Sequence, residues 1–284
     1  MVRKRNIIRW SQAFCLMVPI ILSGCSTNCR YTPEGLRKLS HSEIIQLFNA
    51  KKQVSIDLVI KNRCGEIASE AELAKLNNGL LAKDQYVNEQ GEIVEFVLRE
   101  RTIYDNLLDA LEKQAFNELE PFEYIQIDCA QIEEELLKLH FSDQSKRLKS
   151  LKGQEGQTLS AGMDRAILLN LFQQCGFIDK SLSDKAKEAA FLVIQHSHTK
   201  TIAHYYPQFL ALAQDGGLDW QYIALMEDRL LIENGYLQLY GTQLHSSKPP
   251  VNRSSLVPII DSINVDKRRK KMGLGPLDDY LASF

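Results

Sequence analysis

The chain has 284 residues, of which 44% are hydrophobic, 25% charged and 8% aromatic, and its formal net charge is −2. That balance excludes intrinsic disorder, a fibrous repeat and a polytopic membrane protein. Arg3, Lys4, Arg5 and Arg9 stand in the first 24 positions without a single acid. The remainder is therefore mildly acidic and offers no general attraction to nucleic acid or anionic lipid.

The N-terminus reads as a processed segment. The basic residues precede an apolar run from Ala13 to Leu22, which is too short for a bilayer span of about 20 residues and suits the apolar region of a secretory signal. The run closes on Leu22-Ser23-Gly24-Cys25, which resembles the lipobox of bacterial lipoproteins. The resemblance implies that residues 1–24 are a signal peptide and that Cys25 is acylated, since several acyl chains anchor a protein stably where one does not. Ser26, where Asp would signal retention, implies release to the outer membrane with the body facing the periplasm. Residues 25–34 then form a short tether.

With Cys15 removed and Cys25 acylated, Cys29, Cys64, Cys129 and Cys175 remain in a compartment where disulfides persist. Three pairings are open to them. Their places in the chain favour Cys64 with Cys129, with free buried thiols as the alternative. None has the spacing of a zinc or redox motif.

Residues 35–128 read as a small α+β region. A helix is expected over 42–51, a strand through the alternating Val54, Ile56, Leu58 and Ile60, and a hairpin joining 84–87 to 93–98 through Gly91. A further helix follows over 102–116. Residues 129–284 read as a helical domain. Its first helix opens at Asp128, with Gln131 placed for a capping box, and a polar loop spans 150–160. Helices follow at 163–175, 184–198, 201–214 and 220–234, with Gly176, Gly216-Gly217 and Gly235 marking stops. The alternation from Tyr236 to Leu244 suggests a strand that pairs with Leu256–Ile260 as a short β-hairpin. The chain ends in a basic helix over 265–274. The fold class expected is thus α+β, predominantly helical.

Three constellations carry chemistry. His196 and His198 end a helix, where two residues apart they lie about 200° from each other, so a shared metal is not expected. His196 borders the buried side and either satisfies the helix end or lines a pocket. Asp228 and Arg229 sit inside a helix so apolar that at least one charge faces inward, to a salt bridge or a polar pocket. The run Lys267–Lys271 reads as a solvated helix face from which Arg268 or Arg269 turns in towards an acid such as Asp228 or Asp261. No phosphate loop, serine elbow or metalloprotease motif is present.

Taken in order, Asp143-Gln144 with Arg147, then Gln195-His196, Asp228-Arg229, Tyr240-Gly241-Thr242-Gln243, and Arg268-Arg269 before Gly273-Leu274 and Pro276-Leu277 resemble an uncharacterised bacterial domain family over about residues 135–284. The family implies no established activity. It does suggest that Asp143, Gln144, Arg147, His196, Asp228, Arg229, Tyr240, Gln243, Arg268 and Arg269 line one polar cleft. The expectation is an envelope protein, attached to the membrane through Cys25, that binds a protein or small-molecule ligand there without a cofactor, a metal or nucleic acid. The alternative is a hydrolase in which His196 acts as general acid or base, Asp228 orients it, and Arg229 or Arg268 holds an anionic group.

Overall fold

The computed structural model describes residues 29–50, 54–115, 119–151, 158–245 and 251–284. The lipobox lies outside them, as do the side chains of Asp143 and Arg147. The chain is α+β and mostly helical, as its patterning predicts.

The N-terminal part runs β1 (Arg37–Lys38), α1 (His41–Ala50), β2 (Val54–Lys61), α2 (Glu70–Asn77), β3 (Leu81–Val87), β4 (Ile93–Glu100) and α3 (Asp105–Ala115). The four strands form one mixed sheet in the order β1-β3-β4-β2, with β3 antiparallel to β4 and to β1, and β2 parallel to β4. The expected hairpin is β3–β4, turning at Gly91 with φ of 77°, a conformation that costs glycine nothing. Sequence reading missed β1, which is two residues long, and α2, which buries no side chain.

Helices α4 (Ile132–Leu151), α5 (Thr158–Cys175), α6 (Asp184–Gln195), α7 (Thr199–Gln214) and α8 (Trp220–Glu233) follow. Of the loop expected over 150–160, residues 150–151 belong to α4 and 158–160 to α5, and the rest lies outside the described residues. Asp128 caps a single 3-10 turn, Cys129–Gln131, ahead of α4 by accepting from Ala130 N–H. Between α8 and the C-terminus lie α9 (Val265–Lys271) and a short α10 (Leu277–Ala282) that the sequence did not announce. The expected hairpin of 236–244 with 256–260 is reduced to two isolated bridges, Gln238 with Ile259 in parallel and Leu244 with Leu256 in antiparallel sense. Four main-chain hydrogen bonds still join the segments, from Gln238 N–H to Pro258 O, Ile260 N–H to Gln238 O, Val257 N–H to Gln243 O and His245 N–H to Ser255 O, and side chains fill the gaps between them, as shown below.

One apolar core joins the helices to the N-terminal part. Ile45 of α1, Leu107 and Leu111 of α3, and Ile127 pack with Leu168, Phe191, Phe209 and Leu230, so no break in the core falls at residue 128. A smaller cluster around Leu39, Ile44, Val87, Ile93 and Phe96 belongs to the sheet. The extended stretch before α4 is fixed by amide side chains of α5. Asn170 accepts from Ile125 N–H and donates to Glu123 O, while Gln174 accepts from Ile127 N–H and donates to Ile125 O. These two amides supply the hydrogen bonds that a neighbouring strand would otherwise give.

The disulfides join Cys29 to Cys64 and Cys129 to Cys175. The expected Cys64–Cys129 pairing is therefore wrong. Cys64 lies in the turn after β2, where the N-terminal arm returns, and Cys129 lies beside the end of α5. Tyr31 N–H also donates to Arg63 O at 2.9 Å. The part of the tether from residue 29 onward is thus fastened to the sheet. Among the described residues no helix is long and apolar enough to cross a membrane.

Candidate functional site

Helix α8 is wrapped by the core, with Ile223, Ala224, Met226, Leu230 and Leu231 fully buried. Asp228 shares this environment at 0% exposure, where an unsatisfied carboxylate is costly. Its partners are neither a cation nor a pocket. Leu239 N–H donates at 2.7 Å, Tyr240 N–H at 3.0 Å, and Thr242 donates from both N–H and hydroxyl at 2.9 Å. The carboxylate thus curls residues 239–242 around itself. Burial pushes its pKa up, against the pull of these donors.

The loop is closed from two other directions. Buried Gln238 donates to Gln243 O and Val257 O and accepts from Gln243 N–H. Arg268 donates from Nε to Leu239 O at 2.8 Å and reaches Ile260 O and the Asp261 carboxylate. Arg269, 1% exposed, donates to Tyr240 O at 2.9 Å and Gly275 O at 2.6 Å, with its guanidinium over the Tyr280 ring. Both arginines turn inward, as α9 was expected to allow, and Arg268 meets Asp261. The peptide groups of 239–240 therefore point their N–H ends at Asp228 and their carbonyls at two guanidiniums, which couples opposite charges through peptide dipoles.

Sequence reading missed Glu227. It is 7% exposed, and its oxygens accept from Tyr206 hydroxyl at 2.6 Å and Tyr240 hydroxyl at 2.8 Å. Burial raises its pKa to about 7, opposed by the two phenols and reinforced by Asp228. The signal was available, because Glu227 lies four residues after Ile223 and three before Leu230 on the same helix.

The ten predicted cleft residues divide. Asp228, Tyr240, Gln243, Arg268 and Arg269 come together, in a closed polar core and not around a cleft. Arg229 is half-buried, next along α8, and its Nε has no hydrogen-bond partner among the described residues. Gln144 lies on α4, as do Asp143 and Arg147. His196 is exposed at the C-terminal cap of α6, and not on the buried side, because the helix stops at Gln195. His198 caps the start of α7, with Nε2 3.3 Å from Glu120, which also holds Arg165 at 2.6 Å. The described residues contain no group of three or more His, Cys, Asp or Glu that could hold a metal ion.

An open site lies elsewhere. A groove of about 670 Å³ runs between β3 and α3, lined by Ile44, Leu81, Ala82, Lys83, Gln85, Arg101, Leu108, Asp109, Glu112 and Tyr236, among others. Arg101 is paired with Asp109 at 2.6 Å, and the Lys113 ammonium sits over the Tyr236 ring at 4.5 Å. At its inner end Asp105 binds Arg99 through both oxygens. Burial opposes ionisation of Asp105, yet Arg99 and the Thr102 N–H hold its pKa at about 2. The groove thus combines apolar side chains with fixed charges of both signs, the composition of a recognition surface.

No curated protein and no solved structure matches this chain. Residues 153–284, from just before α5 to the C-terminus, match the model of a family described as of unknown function, DUF6624.

Proposed function

We propose that this chain is a lipid-anchored protein of the bacterial envelope whose body binds a partner in the groove between β3 and α3. The contrast between the two polar regions carries the binding part of this reading. Around residues 239–242 the charged groups are matched to one another's main-chain partners and closed off, whereas the groove leaves charge and apolar surface open around one volume. An active site keeps reacting groups open to substrate, and Asp228 has none of its oxygens to spare.

The lipobox-like tetrapeptide supports the anchoring part, and two disulfides support an oxidising compartment. Cys29 lies four residues beyond Cys25, a reach of about 14 Å when extended. Acylation of Cys25 would therefore hold the body against the bilayer by the sheet end that carries Cys64.

Labelled palmitate and a photocrosslinker test the two parts together. Wild-type protein should take up label and fractionate with membranes, and Cys25→Ser should do neither. A photoreactive residue at Tyr236 should give a discrete crosslinked product in cells, while the same residue at the exposed Ile263 should not. Labelling of Cys25→Ser, or equal products from both positions, would overturn the reading.

A further inference from the structure

Strand β3 is half covered. On one side it pairs with β4 along its whole length, from Leu81 opposite Glu100 to Val87 opposite Ile93. On the other side β1 reaches only Tyr86 and Val87, and Leu39 N–H adds a bond to Gln85 O. Because Gln85 directs its main-chain groups towards β1, the residues two and four positions back, Lys83 and Leu81, direct theirs the same way. Among the described residues no main-chain group bonds to them on that side. The reason is local: Ser40 and Glu43 form a capping box, with Ser40 N–H and hydroxyl donating to the Glu43 carboxylate, and this turns the chain into α1.

The open edge borders the groove, since Leu81, Ala82 and Lys83 all line it. Exposed edges are usually blunted by proline, by a bulge or by an outward lysine. β3 has no proline, its register irregularity lies at Tyr86/Val87, and the Lys83 ammonium is drawn over the Phe96 ring at 4.6 Å. Leu80, next to the edge in sequence, is 67% exposed, and Leu237, next to Tyr236, is also exposed.

We propose that the groove takes an extended peptide segment of a partner protein, added as a strand to β3 at Leu81 and Lys83 along the line that β1 leaves. This rests on the groove being the binding surface and specifies its occupant. Main-chain hydrogen bonds to Leu81 and Lys83 would supply affinity. Alternate side chains of the peptide would meet Leu108 and Tyr236 on one face, and specificity would come from there.

The test uses the full chain in detergent and phage-displayed random dodecapeptides. A selected peptide, resynthesised with a fluorophore, is then measured by anisotropy. Lys83→Pro removes one edge donor and costs β3 no ladder bond, since proline is tolerated at such positions. It should weaken binding about tenfold, the scale of one lost hydrogen bond and its partner left unpaired. N-methylation of one alternate set of peptide amides should abolish binding, while the other set should be tolerated. That second arm leaves the protein untouched and so stands even if Lys83→Pro does not fold. Amide exchange at Leu81 and Lys83 should slow on binding. Equal binding by Lys83→Pro, indifference to which amide set is methylated, or a selection that returns no peptide would overturn strand addition. If the Tyr236 crosslink persists in that event, the groove still binds a partner by side chains alone; if it too is absent, both readings fall.

Discussion

Thr242 gives Asp228 two hydrogen bonds, one from its main-chain N–H and one from its hydroxyl, each 2.9 Å long. With the N–H groups of Leu239 and Tyr240 they saturate a carboxylate that water does not reach. Asp228→Asn keeps the shape but replaces one acceptor by a donor that must face these N–H groups. Stability should fall by about 3 kcal/mol, the cost of leaving buried donors unsatisfied. Urea unfolding measures it, and a loss under about 0.5 kcal/mol would mean that the two arginines alone hold the loop.

Glu227 makes stability depend on pH in a direction opposite to that of most carboxylates. Its pKa is raised from 4.5 to about 7 in the folded protein, so folding takes up a proton between those values. The folded state is therefore favoured at low pH, and this contribution is lost as the pH rises from 4.5 through 7. Glu227→Gln retains hydrogen bonding to Tyr206 and Tyr240 without the charge. It should match wild type at pH 4 and exceed it at pH 8 by up to about 3 kcal/mol, at roughly 1.4 kcal/mol per unit. Melting curves at the two pH values read the difference; a gap that is the same at both would show that Glu227 does not titrate in this range.

Gly241 is held at φ of 72°, and a Cβ there would meet Ile259 Cδ1 at 2.8 Å and Leu277 Cδ1 at 3.0 Å. Gly241→Ala therefore combines backbone strain of about 1 kcal/mol with a clash against two core side chains. A drop in Tm of several degrees is expected, and an unchanged Tm would show that the loop can move away from both.

What the sequence made legible follows from what side-chain patterns encode. Helices α5 to α8 were readable because their apolar positions recur and because glycines at 176, 216 and 235 end three of them. Asp228 was readable as an inward charge because its neighbours on the helix are apolar. Its partners were not, since apart from the Thr242 hydroxyl they are main-chain N–H groups whose positions no residue type announces. The expected C-terminal hairpin is met only in part for the same reason: its two segments pair at isolated bridges, and Gln238, Arg268 and Arg269 supply further bonds that alternation attributes to a strand partner. Of the ten polar residues expected to line one cleft, five meet in a closed network, because inward charge on a helix does not say whether its surroundings are open. The groove was invisible because it depends on where β1 stops, which a capping box at Ser40 decides.

The two disulfides should differ in what their removal does. Cys129–Cys175 spans 46 residues and ties the turn ahead of α4 to the last residue of α5, a helix whose Leu168, Leu169, Leu171 and Phe172 belong to the main core. Replacing both cysteines by serine should lower stability by about 4 kcal/mol, the loop-closure entropy of that length. Cys29–Cys64 spans 35 residues, so loop entropy alone predicts nearly the same cost. The arm it fastens is mostly exposed, however, with Arg30, Thr32, Glu34 and Gly35 open to solvent. Such a segment opens locally, without global unfolding. The Cys29→Ser, Cys64→Ser variant should therefore keep a Tm close to that of wild type while the Tyr31 amide, which donates to Arg63 O, exchanges much faster. Equal losses of Tm from the two pairs would place the N-terminal arm in the same cooperative unit as the helices. Under the proposed anchoring at Cys25, that would make the sheet end beside Cys64 a rigid foot, where the unequal result makes it a hinge.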